Sequence, residues 1–249
     1  MIIIKSFEQF SSGNILVKLA NTPEEYNQVY KLRYQELLLE YNKNVIQENE
    51  IDKDEYDEVC DHLIAIDTDL NKVIGTYRLI KKSHLKDLKK FLTETEFNIE
   101  PLKKYEILEV GRAVVQSNYR DGVTIGMLWK GVIRYATSQD VDVMIGTASF
   151  HGIDPTIYKE TLSYLYDNYL SKEEIRCYAN KDSYSKLKLL DNYDELIAKK
   201  QMPPLIKGYI NLGATIGDGV YIDKEFNSCD VLIVLEIKEI NPRYLKRYL

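Results

Sequence analysis

The chain has 249 residues, 45% of them hydrophobic and 29% charged, which is the balance of a soluble globular protein able to bury a core. Its formal net charge is −6, opposite to the basic excess of a nucleic-acid binder, so no nucleic-acid partner is expected. Cys60, Cys177 and Cys229 are widely spaced with no C-x-x-C pair, which argues against a structural zinc site and fits a reducing compartment.

At the N-terminus, Ile2-Ile3-Ile4 is too short an apolar run for a signal peptide, and no run of about 18 apolar residues follows. The expectation is a cytoplasmic protein, at most peripheral on the inner membrane. Residues 15–19 read as a first strand. Asn21 or Thr22 caps a helix that starts with Pro23 and runs to about Leu39. Residues 48–61 are strongly acidic. Strands at 62–67 and 73–79, with Asp69-Leu70-Asn71 between them, form a hairpin. Residues 81–92 are basic and amphipathic, and 105–115 form an apolar strand containing Gly111. A helix at 123–138, a strand at 142–148, a helix-rich stretch over 155–200 and a closing strand at 230–237 complete the pattern. No repeat or flexible linker appears, so residues 1–249 read as one α/β domain with a mixed, mostly antiparallel central sheet flanked by helices.

A series of short segments carries a family resemblance: Leu32-Arg33-Tyr34, Asp57 to Leu63, Gly75 to Leu79, Leu108-Glu109-Val110-Gly111-Arg112 and Tyr119-Arg120. Leu128 to Gly131, Gly146 to Phe150, Pro203 to Tyr209 and Gly213 to Gly219 extend it. In their order they resemble the ornithine N-acyltransferase, "hemolysin-like" branch of the GNAT superfamily. A more distant likeness is to the acyl-homoserine lactone synthases, through Arg33, Asp54 with Asp57, Arg78, and Glu109 with Arg112. Both resemblances imply a GNAT fold and one reaction, in which an amine attacks an acyl thioester. The implied enzyme is an amino-acid N-acyltransferase with acyl-carrier protein, or CoA, as thioester co-substrate and no tightly bound cofactor or metal. Ornithine is the favoured acceptor. Glycine or another amino acid, an S-adenosylmethionine-dependent lactone synthase, and a non-catalytic binding protein remain as alternatives.

The chemistry needs a base, a polarised carbonyl and a held pantetheine arm. Glu109 lies on the strand that the resemblance sets along the donor cleft, and His62 is a second candidate base because its reference pKa near 6.5 suits proton transfer. A bulge at Val110-Gly111 would put Glu109 and Arg112 on one face and expose a backbone N–H to the thioester oxygen. Arg112 then orients Glu109 or holds a carboxylate. Arg33 and Arg78, flanked by apolar residues, suit the substrate carboxylate. The family match singles out Asp57 and Asp61 for a side-chain ammonium. Val110, Ala113, Arg120, Gly122 and Gly126 are expected along the donor arm, the last three at a helix start that binds phosphate. This loop departs from the usual Q/R-x-x-G-x-G/A pattern, which favours a carrier-protein donor over free CoA. Ser149 and Phe150 end a strand expected to border the acyl chain. Lys81, Lys82, Lys86, Lys89 and Lys90 offer a docking patch for acidic carrier protein or, alternatively, anionic inner-membrane lipid.

Overall fold

The computed structural model describes residues 7–43, 48–85, 88–180 and 189–248. In chain order its elements are β1 (Phe10–Ser12), β2 (Ile15–Leu19), α1 (Pro23–Arg33), a π-helical stretch (Tyr34–Leu38), α2 (Leu39–Tyr41), β3 (Asp61–Asp67), β4 (Lys72–Lys81), β5 (Phe97–Asn98), β6 (Ile107–Val115) and α3 (Val123–Ser138). They continue with β7 (Val143–His151), α4 (Lys159–Tyr169), β8 (Tyr178–Ala179), α5 (Glu195–Gln201), α6 (Pro204–Leu212), β9 (Thr215–Ile216), β10 (Tyr221–Asp223), β11 (Ser228–Glu236) and α7 (Pro242–Tyr248). This is the mixed α/β class with mostly antiparallel strands that the sequence predicts. The chain divides into two compact units, residues 1–89 with 108–141 and 243–249, and residues 90–107 with 142–242.

The first unit is built on the antiparallel order β1-β2-β3-β4-β6. Between β3 and β4 the chain turns through Asn71 at φ 50°, a left-handed conformation that asparagine tolerates well. Thr22 caps α1: its Oγ1 accepts from Glu25 N at 3.2 Å while the Glu25 carboxylate accepts from Thr22 N, the reciprocal capping box. Val29 and Leu32 of α1 pack with Ile64, Ile66, Val73 and Val114 on one face of the sheet. On the other face α3 presses close at two glycines. A Cβ on Gly131 would come within 2.8 Å of Leu63, and one on Gly75 within 2.9 Å of Leu128.

In the second unit β7, β11 and β10 form an antiparallel run, with β9 on β11 and a separate β5–β8 pair. The apolar run Val231–Leu235 of β11 is wholly buried. Helices α4 and α5 meet where Thr161 Oγ1 donates to the Ala198 carbonyl at 2.9 Å.

The basic segment is shorter in regular structure than its amphipathic pattern suggests. A 3-10 turn spans Lys82–His84, Leu85 and Phe91 are buried, and Lys82, Lys89 and Lys90 are exposed. Lys81 ends β4 with its ammonium over the Tyr135 ring, and Lys86 lies outside the described residues. Among the described residues no helix is long and apolar enough to cross a membrane.

Candidate active site

Directly opposed residues of an antiparallel ladder share a face. His62 opposes Arg78, and Arg78 opposes Gly111, so these three form a row across β3, β4 and β6. Glu109, opposite Ile80, sits two residues along on the same face. Glu109 is buried, whereas a Cβ at Gly111 would meet nothing within 4 Å. A buried carboxylate thus adjoins open space. The negative charge of Glu109, after burial, raises the pKa of the nearby Tyr56 phenol, and the Arg78 guanidinium lies 5.6 Å from the centre of the Tyr56 ring.

The expected bulge is present but two residues further on. Thr76 opposes Val114 and Arg78 opposes Gly111, so Arg112 and Ala113 together face Tyr77 alone. Arg112 takes φ 49°, so the left-handed residue is the arginine and not Gly111. The bulge leaves the ladder at Arg112–Ala113 and aims the Arg112 side chain at the acidic stretch.

That stretch folds back as a turn, Glu55–Glu58, whose capping residue Asp54 accepts from Tyr56 N at 2.9 Å while Asp57 Oδ2 accepts from Asp54 N at 2.8 Å. The Asp52 amide donates to the Tyr30 carbonyl of α1 at 3.0 Å. Three aspartates are thereby held against three arginines. Arg33 Nε donates to Asp52 Oδ2 at 2.8 Å, and Arg33 Nη1 and Nη2 donate to the two Asp57 oxygens at 2.7 and 3.1 Å. Arg78 Nη1 meets both Asp54 oxygens at 2.7 Å. Arg112 Nε reaches Asp52 at 3.1 Å and its Nη2 reaches Asp54 at 3.4 Å. The charges balance inside the cluster, as burial requires. Burial pushes the Asp57 carboxyl up, and the Arg33 and Arg78 guanidiniums more than reverse it, holding Asp57 at about 2. Side-chain exposure is 0% at Arg33 and Asp57 but 25% at Arg112 and 28% at Asp54. Solvent therefore reaches the cluster along the Arg112–Asp54 edge.

The candidates from sequence do not all meet at one place. Glu109, Arg112, Arg33, Arg78 and Asp57 converge around this cluster. His62 joins it with its ring boxed by Tyr26 and Tyr30, each 5.7 Å away between centroids. Burial pulls His62 down to about 4 despite Asp57 nearby, which leaves it uncharged near neutrality and a weak proton acceptor. Asp61 points to the α3 face, where it accepts from Tyr135 Oη at 2.5 Å. Of the donor-arm residues, Val110 and Ala113 are half-buried on β6. Arg120 is tied down, donating to the Val115 carbonyl at 2.9 Å and pairing with Glu36 and Glu40. Gly122 caps α3 at φ 90°, and both it and Gly126 face open space where a Cβ would stand. In the second unit, Phe150 is buried against Tyr158, and Ser149 opposes Asp230 across the β7–β11 ladder and lowers its carboxyl pKa. Asp52 and Tyr56 were not singled out from sequence. Three arginines between apolar residues imply three buried carboxylates, which is the signal that would have found Asp52.

Asp57, Cys60 and His62 have ligand atoms within 4.8 Å of one another. The Arg33 guanidinium already occupies both Asp57 oxygens, and Arg78 stands alongside, so this group does not suit a metal cation.

The acetyltransferase (GNAT) domain family matches residues 32–130. The chain is 34% identical to the L-ornithine N(alpha)-acyltransferase of Brucella abortus, over 95% of this chain and 89% of that protein. It is 34% identical to the enzyme of that name in Agrobacterium fabrum, over 95% of this chain and 85% of that protein. Among solved structures, a CoA-dependent acyl-homoserine lactone synthase aligns with a TM-score of 0.52 at 13% identity, covering 91% of this chain and 81% of that one. An N-acyl amino acid synthase from uncultured soil microbes aligns at 0.50 and 11% identity, covering 91% and 94%. These two structures share the fold.

Proposed function

Since the chain belongs to the L-ornithine N(alpha)-acyltransferase family, we propose that it transfers a fatty acyl group from acyl-carrier protein to the α-amine of ornithine, residues 1–249 acting as one acyltransferase domain. The observation that carries this reading is the buried Glu109 carboxylate beside the open space over Gly111, the residue that precedes Arg112. Arg112 offers the rest of its planar fork to the acceptor's carboxylate. Asp54, partly exposed, meets its side-chain ammonium. The α-amine then lies over Gly111, and Glu109 takes a proton from it directly or through a water. The amine nitrogen bonds to the thioester carbonyl carbon. The backbone N–H released at the Arg112–Ala113 bulge stabilises the oxyanion. The C–S bond breaks, and the sulfur leaves on the pantetheine arm with a proton. Arg33, Arg78 and Asp57 act as positioning residues, and His62 as a neutral wall of the cluster.

For the donor, the open backbone at Gly122 and Gly126 suits a phosphate at the start of α3. The Asp121 carboxylate already accepts from Val123 N at 2.9 Å, which opposes a second phosphate there. A single phosphate on a carrier-protein arm fits that charge better than the pyrophosphate of CoA. Lys82, Lys89 and Lys90 supply a docking patch for the acidic carrier.

The test is product analysis by mass spectrometry after mixing the purified chain with 3-hydroxypalmitoyl-carrier protein or 3-hydroxypalmitoyl-CoA and a pool of ornithine, glycine and S-adenosylmethionine. An N-acyl-ornithine formed faster from the carrier protein is the expected result. Acyl-glycine or a lactone as the main product, or no transfer from either donor, overturns the reading.

A further inference from the structure

The second unit holds a group of acids that the proposed reaction does not use. We infer that Glu96, Asp223 and Asp230 form a binding site for one hard divalent cation, of the magnesium, calcium or manganese class. One carboxylate oxygen from each residue lies within 4.8 Å of the other two. Oxygens bonded at about 2.3–2.6 Å to a common ion stand at such separations.

The backbone fixes all three. Asp230 opposes Tyr221 and Asp223 opposes Ser228, so the two aspartates are diagonal neighbours on one face of the β10–β11 hairpin. Asp223 Oδ1 accepts from Phe226 N at 2.7 Å, which orients its carboxylate. Glu96 leads into β5, and its carbonyl accepts from Asn180 N at 2.8 Å.

Asp230 supplies the observation that a surface acidic cluster lacks. It is 3% exposed. Oδ2 accepts from Ser228 Oγ at 3.1 Å, but Oδ1 is buried with no hydrogen-bond partner. No lysine or arginine among the described residues pairs with Asp223 or Asp230. A buried, half-satisfied carboxylate facing two more acids needs a positive charge. Two aspartates without a cationic partner favour a divalent ion over a monovalent ammonium, which would balance only one of them. All-oxygen ligation selects hard ions over zinc or copper.

The test uses the full chain, stripped with chelator and titrated with Mn2+ by calorimetry and by loss of the free-ion EPR signal. One Mn2+ per chain is expected, with affinity at least about tenfold lower in Asp230→Asn and in Asp223→Asn and unchanged in Asp191→Asn. Asp230→Asn removes a buried charge and should melt no lower than the chelator-stripped parent chain, so lost binding is read on a folded protein. The site is overturned if the folded chain takes up no stoichiometric Mn2+, or if both substitutions leave its affinity unchanged. It is also overturned if ornithine alone binds and Asp223→Asn weakens that binding, which would make this an ammonium site.

Discussion

Two charge clusters in this molecule are handled in opposite ways. In the first unit, three arginines and three aspartates neutralise one another, and Arg33 uses every nitrogen of its fork in doing so. In the second unit, Glu96, Asp223 and Asp230 converge, and neither aspartate has a cationic partner among the described residues. The difference shows in the carboxyl groups. Arginine neighbours overcome burial to hold Asp57 at about 2, while burial, with Ser149 and Ser228 only partly offsetting it, raises Asp230 to about 6. A balanced cluster needs no further ion. Two aspartates without a cation call for an ion from outside.

The sharpest way to break the first cluster is Arg33→Met. It leaves buried Asp57 with only Arg78 as a cation, at 3.4 Å, and Asp52 with only Arg112, at 3.1 Å, and should cost about 3–5 kcal/mol in a urea unfolding series. A loss below about 1 kcal/mol would mean the network is not what holds the turn.

Asp230→Asn should act in the opposite direction. With chelator present, Asp230 has a folded pKa of about 6 against 3.8 unfolded. The unfolded chain ionises first, so stability falls as pH rises from about 4 to about 6 and stays reduced above it. Asn removes that penalty, on the order of 3 kcal/mol at pH 7. His62 drifts oppositely in the same window, since its folded pKa of about 4 lies below its usual 6.5 and its contribution is lost as pH falls. The difference curve between Asp230→Asn and the parent cancels that drift. A difference that does not grow between pH 4 and pH 6 would contradict the account of Asp230.

The mildest perturbation touches the open edge alone. Arg112→Lys keeps the charge and loses the planar fork, so KM for ornithine should rise roughly tenfold with kcat and melting temperature little changed. A fall in kcat at constant KM would place Arg112 with the reacting atoms.

Much of this was legible in the chain itself. The spans of β2 and α3, the β3–β4 hairpin and the Thr22 cap follow from periodicity, capping chemistry and turn residues, which act locally. Convergence of Glu109, Arg78 and Arg112 was legible only through the family resemblance. What escaped depends on distant partners. Arg33 and Arg78 between apolar residues read as anion receptors, because an arginine buried for a substrate and one buried for an aspartate leave the same local pattern. The bulge was expected at Gly111, the residue freest to turn, but the ladder with β4 puts the left-handed turn on Arg112. The acidic triad draws its members from residues 96, 223 and 230, and no sequence spacing joins them.

The most direct test of the account is single-turnover acyl transfer from carrier protein to ornithine by the parent chain and Glu109→Gln, with substrate binding measured in parallel. The account predicts a rate loss of roughly 100- to 10,000-fold with ornithine and carrier-protein affinities retained. A Glu109→Gln rate within a few fold of the parent would show that another group takes the proton and that the open space over Gly111 is not where the amine reacts.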